Sequence, residues 1–146
     1  MNINHEQVLV AKCVNGKLTS VRVDVSPITQ ELGMVIESAE AGNLLLSFEL
    51  GEQYSQGNHV IQGGAVTMAL DAGLAFSALS MIKDGQSVAT LNMQTQFFKP
   101  VHPGKVWVRA KVDKPGRNIM FCSAQLVDKD DRVLATAQSP LQVINL

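Results

Sequence analysis

The stretch HVIQGGAVTMALDAGLAF, residues 59–76, holds the residues whose types and spacing can do chemistry. Ala65, Met68, Ala69, Ala72, Ala75 and Phe76 recur at helical spacing, and a single carboxylate, Asp71, sits among them. A buried, unpaired carboxylate is costly, so Asp71 must be paired, neutral or useful. Two chemical uses are open to it. It can attack a carbonyl carbon directly, or it can take a proton from an attacking water. The structural alternative is a carboxylate paired with a hydroxyl or an arginine. Gly63 and Gly64 stand where the same helix begins. First-turn N–H groups have no intrahelical acceptor and lie at the positive end of the helix dipole. With no Cβ in the way, a carbonyl oxygen gathering negative charge can approach them closely. The structural alternative is a tight turn from loop to helix.

These residues need elements to position them. The spacing predicts a short helix over Asn4 to Cys13, stopped by Asn15 and Gly16, and another short turn from Ser26-Pro27 to Gly33. The period then changes to two. MVIESAEAGNLLLSFEL reads as strand, turn at Ala41-Gly42-Asn43, and strand. A polar loop, GEQYSQGN, leads into the long helix, expected from about Gln62 to Lys83 and ended by Asp84-Gly85. Four further strand-like segments follow: SVATLNMQTQFFK, KVWVRAKVD, IMFCSAQLVD and RVLATAQSPLQVI. The breaks between them are turn-forming sequences, which favours antiparallel neighbours. A long apolar helix and about six antiparallel strands bury each other most simply if the sheet curls round the helix, an α+β arrangement. The run of small residues along the helix lets the sheet approach.

The chain has 146 residues, 46% of them hydrophobic and 17% charged, which fits one domain with a real core. Residues 1–26 are read as its N-terminal helical extension. The formal net charge of −1 gives no basic field to draw in nucleic acid. No apolar run reaches the length of about 18–20 residues that spans a bilayer. The opening MNINHEQVLVAK lacks the pattern of a signal peptide, so the expected location is the cytoplasm. Two cysteines, Cys13 and Cys122, make no disulfide framework, and no His/Cys cluster has metal-ligand spacing. No metal and no cofactor are expected.

The order of elements resembles the hotdog fold. Within it, QGGAVTMALDAG followed by VATLNMQTQFFKPV resembles the acyl-CoA thioesterases of the phenylacetate-degradation (PaaI-like) branch, over roughly residues 27–143. The resemblance implies hydrolysis of aryl or short to medium acyl-CoA thioesters, with coenzyme A entering only as part of the substrate. It implies roles residue by residue: Asp71 as the catalytic carboxylate, Gly63 as the backbone donor to the thioester oxygen, Gln56 as the amide that places substrate or water, and Thr90 as an assisting hydroxyl. Gln62 departs from the pattern, since the family commonly has His before the two glycines.

Gly63 and Asp71 are eight residues apart, about 12 Å along a helix, although both must reach one carbonyl. Two copies of the helix, antiparallel across a two-fold axis, solve this, so the chemistry predicts a homodimer, or a dimer of dimers, with shared sites. Gln62, Gly64, His59 and Phe98 are candidate substrate contacts. Lys99, Lys105, Lys114 and Arg117 are the cations available to coenzyme A phosphates, Lys99 and Arg117 foremost. Met34, Tyr54, Met68, Phe76 and Phe98 are candidate linings of an acyl tunnel, with core packing the alternative for most. No nucleic acid or membrane partner is expected. Three rival readings remain: a hotdog dehydratase or hydratase using His59 with Asp71, a non-catalytic acyl-thioester or aromatic-ligand binder, and a structural dimer with no ligand. Cys122, in a strand with no histidine near in sequence, is a poor candidate nucleophile.

Overall fold

The computed structural model describes residues 2–146. Helix α1 spans His5–Gly16 and starts at Asn4, whose side-chain oxygen accepts from the N–H groups of Glu6 and Gln7. Lys17, in the left-handed region at φ 49°, ends it. Strand β1 (Val21–Arg22) and helix α2 (Pro27–Glu31) lead into the hairpin of β2 (Val35–Glu40) and β3 (Asn43–Leu50). Gly42 makes that hairpin turn at φ 76°. A single 3₁₀ turn, Glu52–Tyr54, precedes the long helix α3 (Gly63–Leu79). Strands β4 (Gln86–Thr90), β5 (Gln94–Phe97), β6 (Gly104–Lys114), β7 (Ile119–Val127) and β8 (Val133–Asn145) complete the chain.

Among the described residues the strands form one eight-stranded antiparallel sheet in the order β1-β2-β3-β6-β7-β8-β4, with β5 also pairing β8. The sheet curls round α3 without closing. Its inner face follows from alternation. Leu44, Leu46 and Phe48 of β3 lie opposite Ala110, Val108 and Val106 of β6, and all six are buried. Leu126 and Ala124 of β7, then Ala135 and Ala137 of β8, continue the same rows. The small residues of α3 let it sink onto this face. A Cβ added at Gly73 would lie 2.6 Å from Val108 Cγ1, so the contact exists only because the side chain is a hydrogen.

The expected core arrangement stands, with two corrections in detail. There are eight strands rather than about six. The two-residue β1 was too short to read, and SVATLNMQTQFFK is two strands. Leu91–Met93 step off the ladder where β8 carries Pro140, which has no N–H to give. There Ser139 Oγ donates to Asn92 O at 2.6 Å, and Leu91 N–H donates to Pro140 O at 3.1 Å. Helix α3 also ends at Leu79, four residues before Lys83. The Ser80 hydroxyl donates to Ser77 O and accepts from Gly42 N–H, which ties the chain to the β2–β3 turn instead of continuing the helix.

The sheet does not cover α3 completely. Gly64, Thr67, Met68, Asp71, Ala72 and Ala75 form a stripe that is half-buried or exposed, while the rest of the helix from Ala65 to Leu79 is buried. The β4–β5 edge runs beside it, with Leu91, Phe97 and Phe98 each at least half exposed.

Gly73→Ala tests the depth of the helix. At an ordinary helix position this change stabilises. Here the clash should lower stability by about 1–3 kcal/mol, measured by urea unfolding. Adding Val108→Ala should recover part of that loss.

Candidate active site

The first turn of α3 is built by Gln62. Its N–H donates to Tyr54 O at 2.8 Å, and its own carbonyl accepts from Ala65 and Val66 N–H. Its side-chain Oε1 accepts from Gly64 N–H at 3.0 Å. Three of the four first-turn donors are thereby engaged. Gly63 N–H is the one left without an acceptor among the described residues. Gly63 lines a groove of about 420 Å³ that also has Gln56, Val60, Phe97, Phe98 and Lys99 in its walls. A Cβ on Gly63 would meet the Phe97 ring at 3.3 Å, so the missing side chain is what opens the approach to the amide. Gln56 is held by a tight turn, in which its N–H donates to Val60 O and its carbonyl accepts from His59 N–H. His59 sits exposed at the tip of that turn, in the left-handed region at φ 60°.

Asp71 lies two turns further along, on the open stripe of α3. Thr90, at the end of β4, donates its hydroxyl to Asp71 Oδ1 at 2.9 Å. This answers how an apolar helix tolerates a carboxylate. One oxygen is hydrogen-bonded from the neighbouring strand, and the group is only half-buried. The other oxygen has no recorded partner among the described residues.

Within one chain, Gly63 and Asp71 are not brought together. Gly63 meets Phe97, which pairs with Ala135, whereas Asp71 meets Thr90, which pairs with Leu141. The two positions on β8 are six residues apart, about 20 Å along a strand. The structure therefore collects Gln56, Gly63, Phe98 and Lys99 in one place and Asp71 with Thr90 in another, joined by the open stripe.

Other candidates fall elsewhere. Arg117 and Lys114 flank the β6–β7 turn, at the end of the sheet where Asn118 bonds Val143 and far from the groove. Met34 and Phe76 are core residues, 0% and 2% exposed. The Tyr54 hydroxyl donates to Glu31 at 2.9 Å. Cys122 is buried, and loss of solvation pushes its thiol up to about 11, so it is protonated near neutral pH and unfit as a nucleophile. Sequence reasoning missed two participants. Phe97 was one of two adjacent phenylalanines, and only the strand register shows which ring covers Gly63. The capping role of Gln62 had a signal, a polar residue directly before the helix, but glutamine is not a usual N-cap.

Comparison with known proteins gives the family and the fold. The thioesterase superfamily model matches residues 58–135, which include α3, Thr90, Phe98 and Lys99 but not Gln56. A candidate esterase of Saccharolobus solfataricus is 26% identical over 73% of this chain and 70% of its own length. A thioesterase-type, phenylacetic-acid-degradation-related protein of Ralstonia eutropha is 25% identical, with a TM-score of 0.80 over 91% of this chain and 98% of that one. The PaaI protein of Escherichia coli, from the phenylacetic acid degradation operon, shares the fold at 16% identity, with a TM-score of 0.79 over 99% of this chain and 97% of its own. The chain belongs to the thioesterase superfamily, as a thioester hydrolase with a hotdog fold of the PaaI-like type.

Proposed function

We propose that this protein hydrolyses acyl-CoA thioesters, with aryl or short to medium acyl groups, to the free acid and coenzyme A. We place the reaction in the cytoplasm, in a homodimer or a dimer of dimers. The observation that carries the reading is the presence of one free donor and one half-exposed carboxylate on the same helix, α3. Gly63 N–H is unsatisfied, and Asp71 is oriented by Thr90. Two antiparallel α3 helices, related by a two-fold axis, set Gly63 of one subunit against the Asp71 of the other. The exposed β4–β5 edge and the small residues of the stripe suit that contact.

In such a site the thioester carbonyl accepts from Gly63 N–H, and the helix dipole favours the charge that grows on its oxygen. Asp71 then acts in one of two ways. As a general base it takes a proton from water while the water oxygen bonds to the acyl carbon. The carbon–sulfur bond breaks, and the proton passes to the departing thiolate. As a nucleophile it forms an acyl anhydride with loss of the thiolate, and water then cleaves the anhydride. Gln56, in the wall of the groove, can hold that water by donating from its amide and accepting at its carbonyl. Gln62, by engaging Gly64 N–H, leaves a single amide for the oxygen.

Asp71→Asn should lower kcat for acyl-CoA hydrolysis by about 10²–10⁴-fold while the melting temperature holds, followed by release of free thiol. Undiminished turnover would remove Asp71 from the chemistry. Gly63→Pro keeps a residue that helices accept at their first position but deletes the N–H. Its kcat should fall by about 10²–10³-fold. Random mixing of these two inactive variants should restore about one quarter of wild-type activity, because half the dimers then carry one intact site. Verified heterodimers with no activity would exclude the shared site.

A further inference from the structure

The two glycines that open α3 have different neighbours. A Cβ on Gly63 would meet the Phe97 ring at 3.3 Å, in the wall of the groove. A Cβ on Gly64 would fall 2.7 Å from Gln62 Oε1 and 3.5 Å from its Cδ. That is the space in which the Gln62 side chain reaches back to accept from Gly64 N–H at 3.0 Å. Any side chain at position 64 would push the Gln62 amide aside, since the amide is the flexible end of the contact.

Gln62 is also the residue whose carbonyl shares a peptide plane with Gly63 N–H. That peptide is trans, so the two groups point opposite ways. The carbonyl is drawn into the helix by Ala65 N–H at 2.9 Å and Val66 N–H at 3.2 Å, which turns Gly63 N–H away from the helix body. On its other side, Gln62 N–H is held by Tyr54 O at 2.8 Å, and the Tyr54 hydroxyl is held by Glu31. The side-chain cap is the remaining tie. It joins Gln62, extended at φ −62° and ψ 139°, to the first turn of the helix that follows. Gln62 is exposed, so holding this geometry costs side-chain entropy, and glutamine is not a usual N-cap.

We propose that Gln62 is a positioning residue for the hydrolysis described above. It acts through Gly63 N–H, holding that amide in line with the thioester oxygen by capping Gly64. The second glycine of the pair then serves the cap and not the substrate. The inference rests on the reading of Gly63 N–H as the donor, and it gives the glutamine at position 62 a role without a contact to substrate.

The test is a double-mutant cycle on acyl-CoA hydrolysis, with a thermal melt of each variant to report the loss of capping separately. Gln62→Ala should lower kcat about tenfold with KM within about twofold, because a displaced donor weakens the transition state more than the bound ester. Gly64→Ala should do the same by displacing the cap. The double variant should be no slower than the slower single one, whereas independent losses would multiply to about a hundredfold. Gln62→Ser supplies a hydroxyl that caps the same N–H but has no amide nitrogen, and it should restore kcat to within about threefold of wild type. A Gln62→Ser variant as slow as Gln62→Ala overturns the positioning role and assigns Gln62 Nε2 to the substrate instead. Losses that multiply in the double variant overturn the link between Gln62 and Gly64. If Asp71→Asn and Gly63→Pro are slow while Gln62→Ala keeps full kcat, this inference alone falls. If Gly63→Pro keeps full turnover, the donor reading fails and this inference fails with it.

Discussion

Everything in this fold depends on how closely α3 lies against the sheet. The contact of Gly73 with Val108 leaves no room for even a methyl group, and the neighbouring alanines keep the helix slim along its buried side. A helix held at that depth is surrounded by β3, β6, β7 and β8 on most of its circumference. The sheet nevertheless stops short of closing, and the same depth fixes which side chains of α3 remain outside. Asp71 is half-buried as a result of that geometry. It is close enough to β4 for the Thr90 hydroxyl and open enough to keep a free oxygen.

The start of α3 is governed by a different economy, that of backbone donors. A helix brings several N–H groups to its first turn with nothing of its own to satisfy them. Gln62 takes up all but one, two through its carbonyl and one through its side chain. What is left is a single amide, on a residue without a Cβ, beside an aromatic ring and at the mouth of a groove. The loop before it is fixed by its own hydrogen bonds, so Gln56 and Gly63 hold their relative positions without a ligand. The donor and the carboxylate are both on one helix, and too far apart to serve one carbonyl within one chain.

Much of this was legible in the residues. The long helix declared itself by its periodicity, the β2–β3 hairpin by alternation around Gly42, and the separation of Gly63 from Asp71 by simple counting. What escaped was decided by partners distant in sequence. Pro140 breaks the β4–β5 segment from across the sheet, and no local pattern in SVATLNMQTQFFK records it. Ser80 ends α3 because its hydroxyl is wanted by its own helix and by Gly42, nearly forty residues earlier.

The step at Leu91–Met93 has a further consequence. An unbroken strand along β8 would present one long, flat row of unpaired backbone groups, the form of edge that recruits foreign strands without limit. Pro140 and Ser139 cut that row into a five-residue and a four-residue piece with an offset between them. The discontinuity thus shortens the continuous edge open to a foreign strand.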